Sequence, residues 1–255
     1  MRAIVILAIC LGAVSAVPSN PQRIVGGSVA NILHWPQMGA LLYSSNLNTY
    51  LQSCGGTILT TRSILTAAHC VIDDGAVNWR VRLGSSFANS GGIIHTVSTI
   101  INHISFNRVT YDNDIAILRL TVNIVYAANM NAASFPGAGY SLADNTVVWT
   151  IGWGSTVSGG AFSEQLRQVQ IWTVNQSVCR ERYAAVGFTV TDNMICSGYL
   201  DVGGRDQCQG DDGGPLFHNH VAIGIRSWGL GCGLAQFPGV NTRISNYSSW
   251  LQNNA

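Results

Sequence analysis

The chain has 255 residues and a mass of 27.2 kDa, a size that suits one large all-β unit or two small domains. Apolar residues make up 47% and charged residues 10%, which excludes a disordered chain or a charged coiled coil. The formal charge of +1 carries no electrostatic footprint for nucleic acid.

All 13 basic residues are Arg and none is Lys. Arg keeps its charge where Lys, with a pKa near ~10.4, begins to lose it. Alkaline service and codon bias both account for this.

Met1-Arg2 opens the chain, an apolar run from Ala3 to Val14 follows, and Val14-Ser15-Ala16 closes it with small residues. That order reads as a secretory signal over residues 1–16. No later segment reaches eighteen apolar residues, so no membrane anchor is expected. Next comes Arg23-Ile24-Val25-Gly26-Gly27, an Arg followed by an apolar pair.

Strand-length runs rich in β-branched residues recur between Gly, Asn and Ser clusters. They include Ala40–Tyr43, Ile58-Leu59, Arg80–Leu83, Ile93–Val97, Ile115–Leu118, Val147–Trp149 and Val221–Ile225. Their spacing predicts a sandwich or barrel. The segment around Ala127–Ala138 reads as a boundary between halves. From about Ile244 to Gln252 the chain lacks Gly and Pro, and a short helix with Ile244, Tyr247 and Leu251 on one face is expected.

Three segments carry candidate chemistry. Thr66-Ala67-Ala68-His69-Cys70 sets a His beside a Cys after a strand-like run. Asp114 enters a buried strand, where an acid needs a partner. Cys208-Gln209-Gly210-Asp211-Asp212-Gly213-Gly214-Pro215 is a Gly-rich turn with two adjacent carboxylates. Outside the signal six cysteines remain: Cys54, Cys70, Cys179, Cys196, Cys208 and Cys232. An even set in a secreted chain reads as three disulfides, and spacing alone leaves fifteen connectivities open. Asn175-Gln176-Ser177 and Asn246-Tyr247-Ser248 are glycosylation sequons. His34, His95, His103, His218 and His220 show no metal-like spacing except the 218/220 pair, which reads more simply as a surface strand.

Taken together and in this order, the Arg23, His69, Asp114 and Gly210–Pro215 segments resemble the trypsin/chymotrypsin family of secreted serine proteases. The resemblance runs from Ile24 to the C-terminus. The leader before Ile24 and the missing Lys look most like midgut trypsins of moth and butterfly larvae. It implies two antiparallel six-stranded β-barrels with a short C-terminal helix and the site in the cleft between them. Residues 17–23 would be an activation peptide, 24–129 the N-terminal barrel, and 130–255 the C-terminal barrel and helix. Cleavage after Arg23 would free the Ile24 amine to pair with Asp211, a buried ion pair used as a switch. His69 would be the general base, oriented by Asp114, and the backbone N–H groups of Gly210 and Asp212 would face the oxyanion. The implied disulfides are 54–70, 179–196 and 208–232. Asp206 falls at the base of the specificity pocket, with Ser227, Gly229 and Gly239 along its walls, which implies an Arg or Lys ligand side chain. The family's calcium loop has no carboxylates here, because no acid lies between Gly75 and Tyr111. No metal or cofactor is expected.

Two positions depart from the pattern. The family reads Gly-Asp-Ser-Gly-Gly-Pro where this chain reads Gly-Asp-Asp-Gly-Gly-Pro, so Asp212 stands at the nucleophile. Arg226 precedes Ser227-Trp228-Gly229 where the family carries a small residue. It is expected either to reach Asp206 or to swing to solvent. His69 is expected between Asp114 and Asp212, with its pKa raised. The reading that follows is a non-catalytic homologue acting as a monomer. Its partners would be protease inhibitors or other protein ligands, and an activating protease. An active digestive trypsin is the alternative.

Overall fold

The computed structural model describes residues 25–255. The predicted signal and the Arg23–Ile24 bond lie outside them.

A short strand β1 (Ser28–Val29) leads into six strands, β2 (Met38–Tyr43), β3 (Leu51–Ile58), β4 (Ser63–Thr66), β5 (Trp79–Leu83), β6 (Ile93–Asn102) and β7 (Ala116–Leu120). These six close into an antiparallel barrel in the order β2-β3-β4-β7-β6-β5. β5 shows why: Trp79, Val81 and Leu83 are buried while Arg80 and Arg82 are not, the period-two pattern of a strand with one face inward. Leu41, Ile58, Ile64, Val81 and Leu118 fill the barrel interior.

The second half supplies β8 (Val147–Gly152), β9 (Arg167–Thr173), β10 (Met194–Gly198), β11 (Pro215–His218), β12 (Val221–Trp228) and β13 (Gly239–Arg243). Their order is β9-β10-β13-β12-β11-β8, and β8 pairs back onto β9 to close a second six-stranded antiparallel barrel. β1 adds to β9 from outside, so the start of the described chain is tied to the C-terminal barrel. The expected all-β architecture of two such barrels is what the chain adopts, the chymotrypsin-like fold.

One apolar cluster spans the seam between the barrels. Met38, Ala40, Leu65 and Ile117 come from one side, and Ile151, Trp153, Phe217 and Ile225 from the other. Trp35 stacks on Phe217 with ring centroids 5.4 Å apart and donates Nε1–H to Gln168 Oε1 at 2.6 Å. The C-terminal segment is a 3-10 turn (Ile244–Tyr247) running into a helix (Ser248–Asn254). Ile244, Tyr247 and Leu251 are buried as the periodicity predicts. His103 packs edge-on against Tyr247, and Arg119 donates to Asn254 O, so the last helix laces back onto the first barrel.

All three disulfides pair as the resemblance implies, with Cα–Cα distances of 6.4, 6.4 and 5.3 Å. Besides the one-turn helix Ala68–Val71, the longer helix Gln176–Ala184 went unread in the sequence. Its signal was present: Asn175 is the N-cap, its Oδ1 accepting from the backbone N–H of Ser177 and Val178. The sequon amide of Asn175 donates to Asp144, and that of Asn246 to Asp192 O and Asn193 Oδ1. No helix among the described residues is long and apolar enough to cross a membrane.

Candidate active site

The site forms where loops of the two barrels meet. A one-turn helix (Ala68–Val71) follows β4 and carries His69, and the Cys54–Cys70 disulfide pins its neighbour to β3. Asp114, fully buried, lies just before β7. Its Oδ1 accepts the His69 backbone N–H at 2.8 Å, and its Oδ2 lies 2.7 Å from His69 Nδ1. Ser227 Oγ donates to the same Oδ2 at 2.5 Å. Ser227, expected along the pocket wall, therefore turns its hydroxyl onto the buried acid. These contacts satisfy the carboxylate and hold the ring with Nδ1 toward it, the orientation a histidine base needs.

The turn after β10 carries the other half. Gly210 has φ +92° and Gly213 φ +78°, a backbone region that glycine enters without strain. At Gly213 an added Cβ would come within 2.2 Å of Thr66 Oγ1, so the turn also needs glycine for room. Gln52 Nε2 donates to Gly210 O at 2.8 Å, and Gly55 N–H to Asp212 O at 2.7 Å, anchoring the turn on β3. Among the described residues no hydrogen bond occupies the N–H of Gly210 or of Asp212. Two unclaimed amides on one turn suit an oxyanion.

Asp211 points away from the cleft. Its oxygens accept from Gly154 N–H at 2.7 Å and Cys208 N–H at 2.9 Å. A Cβ at Gly152 or Gly154 would collide with this carboxylate. Burial pushes its pKa up to about 7; the two amides pull it down and Asp212 adds to the rise. A carboxyl with a raised folded pKa favours the fold while protonated, and that contribution is lost as pH rises through the folded value. An α-amine freed by cleavage after Arg23 would offset the charge that then appears. Cleavage is therefore expected to stabilise the chain less at pH ~5 than at pH ~7.5, where Asp211 is ionised and the amine is still largely protonated. Thermal melts of cleaved and uncleaved chain at both values check this.

Asp206 is 2% exposed, and its oxygens accept the backbone N–H of Gln207 and Gly233. Burial lifts its pKa to about 6, against the opposing pull of Arg226 and the two amides. Gln207, which the sequence reading passed over, lies beside it, bonded to Thr150 and Asn241. Tyr183, also unread, donates to Pro238 O at 2.7 Å and packs edge-on against Trp228.

The two departures meet each other. Arg226 Nε lies 3.4 Å from Asp212 Oδ1. Arg226 does not swing to solvent, and it makes no ion pair with Asp206 within 4.0 Å. Asp212 turns toward this guanidinium, so among the described residues His69 pairs within 4.0 Å with Asp114 alone. The expectation of a ring between two carboxylates is met on one side by contact and on the other only through space. His69 still has a raised pKa: burial, the largest influence, lowers it, while the Asp114 bond and the charges of Asp114 and Asp212 together outweigh burial and Arg226. Asp212→Ala is expected to lower the His69 pKa, because Arg226 then opposes imidazolium unbalanced; an NMR titration of the ring checks this. Burial also raises the pKa of Asp212, against the pull of Arg226 and His69.

Among the described residues no group of three His, Cys, Asp or Glu is arranged to hold a metal. His218 Nδ1 lies 2.9 Å from Tyr140 OH, and His220 packs against Trp35.

A buried acid bonded to a histidine and, among the described residues, two unclaimed amides on a glycine turn, set where two closed β-barrels meet, are the features of a chymotrypsin-like scaffold. The family model described as trypsin matches residues 24–251. The chain is 60% identical to "Trypsin CFT-1" of Choristoneura fumiferana and 58% identical to "Trypsin, alkaline C" of Manduca sexta, each over 98% of both chains. It is 50% identical to "Achelase-1" of Lonomia achelous over 91% of this chain and all of the other. The chain belongs to the trypsin family.

Proposed function

We propose that this chain is a secreted trypsin-family homologue of the digestive tract, made as a precursor and switched by cleavage after Arg23, whose cleft binds protease inhibitors or other protein ligands and is catalytically impaired. One observation carries the impairment: position 212, which supplies one of the two oxyanion amides on the turn facing His69, is a carboxylate in place of the family's serine. An aspartate attacking an amide would form a mixed anhydride, against which the amine is a poor leaving group. Its charge also opposes the charge that develops on the oxyanion. The intact Arg23–Gly27 segment and Asp211 support the switch, and so does the docking of Val25, whose carbonyl accepts from Asp206 N–H at 3.3 Å. The absence of Lys and the name "Trypsin, alkaline" of relatives support service in an alkaline midgut lumen. The protein would act as a monomer, without metal, nucleic acid or membrane.

The relatives' names back the alternative better than they back impairment: they are called trypsins, which favours an active trypsin-like serine endopeptidase cleaving after Arg or Lys in digestive proteolysis. One assay separates the two. The chain is cleaved after Arg23, residue 212 is verified by mass spectrometry, and an Arg-peptide ester and a serine-directed organophosphate are applied. Impairment predicts no labelling at 212 and turnover at least ~10⁴-fold below an ordinary trypsin, the order of magnitude of a triad lesion in this family. Ordinary turnover with Asp confirmed at 212 sinks it.

A further inference from the structure

Arg226 is 4% exposed, on β12 where the register with β13 shifts between Arg226 and Trp228. Bulges of this kind re-aim a side chain. Here the chain folds back over its own strand, and Nη1 donates to Trp228 O at 2.6 Å. Gly229 and Gly239 face the guanidinium. A Cβ at Gly229 would lie 3.3 Å from both Nη1 and Nη2. A Cβ at Gly239 would lie 2.9 Å from Nη1 and also 2.9 Å from Asp206 Oδ1. The guanidinium thus fills the space between the two glycines above Asp206, where an incoming basic side chain would go. Asp212 holds it from the more accessible side, by charge alone, since Nε makes no hydrogen bond there.

We propose that Arg226 is a built-in occupant of the specificity pocket, closing it to Arg and Lys and leaving the cleft to ligands whose leading side chain is short and uncharged. This deepens the binding reading above, from which it takes the cleft as the ligand site. Volume and charge both argue for it. The room between the glycines is taken by protein atoms, and a second cation would meet the first before it met Asp206. The neighbouring cavity, about 450 Å³ and lined by Tyr111, Phe188 and Trp228, stays open to apolar parts of such a ligand.

The probe is benzamidine, a small rigid amidinium, titrated calorimetrically into the full chain cleaved after Arg23. No saturable binding is expected for the unmodified protein. Arg226→Val is expected to bind at least ~100-fold more tightly, within the range of one close charge pair at a desolvated site. Adding Asp206→Ala should remove that gain, which places it in the pocket. Arg226→Ser provides the same test if the valine variant does not fold. Equal affinity in the unmodified chain and in whichever variant folds overturns the proposal, and so does a gain that survives Asp206→Ala. Because the readout is binding, it stands apart from catalysis. Benzamidine bound without turnover refutes the occupied pocket alone, whereas turnover of substrates with a short neutral side chain refutes impairment alone.

Discussion

The variant Asp212→Ser/Arg226→Val is expected to hydrolyse Arg-peptide esters at least ~10⁴-fold faster than the unmodified chain, since it restores both a nucleophile and room for the substrate. The rest of the apparatus is in place. Asp114 holds His69 through two contacts of 2.8 and 2.7 Å, and among the described residues nothing claims the amides of Gly210 and residue 212. Asp212→Ser alone should recover only part, because Arg226 still fills the pocket. Arg226→Val alone should recover almost nothing without a nucleophile. The gain should exceed the product of the single changes, since both act on one site. Steady-state kinetics on the four proteins decide the matter. A double variant as slow as the unmodified chain would mean that another part of the site has failed.

Removing one partner of the Asp212–Arg226 pair is expected to cost stability, and removing both should cost less than the sum. Breaking a buried pair by deleting one member commonly costs several kcal/mol, because the other charge is left uncompensated. The Asp212 side chain keeps 27% of its surface accessible, and the contact at 3.4 Å lacks hydrogen-bond alignment, so solvent screens part of the interaction. About 1–3 kcal/mol for Asp212→Ala is the expected loss, which leaves Arg226 buried over Asp206. Adding Arg226→Val should return much of it. Urea unfolding of the single and double variants measures the coupling, and strictly additive losses would show that the two residues do not support each other.

Much of this protein was legible before any coordinate. Short runs between turn residues marked six of the strands, because a pleated, half-buried segment favours such residue types at period two, while Ile58-Leu59 met β3 only at its last residue. The motifs around His69, Asp114 and Gly210–Pro215 carried the resemblance to the family, since each holds chemistry that tolerates few substitutes, and Asp212 stood out in the last of them as a single letter. The helix at Gln176–Ala184 was missed because its apolar stripe is thin and a cap residue alone does not announce a helix. Which cysteines pair was open to spacing, and only the resemblance and then the closed barrels chose among the connectivities. Ser227 read as pocket wall, and the sequence did not show that its hydroxyl bonds Asp114, a residue 113 positions away along the chain. Asp212 read as a neighbour of His69, and Arg226 as a partner of Asp206 or of water. Packing also brought the two departures together, at 3.4 Å, while the charge of Asp212 still acts on His69 through space. A side chain's type follows from its codon, but its partner depends on which charges a closed barrel leaves within reach once water is gone, and a buried guanidinium settles on the carboxylate and carbonyl that the surrounding backbone presents.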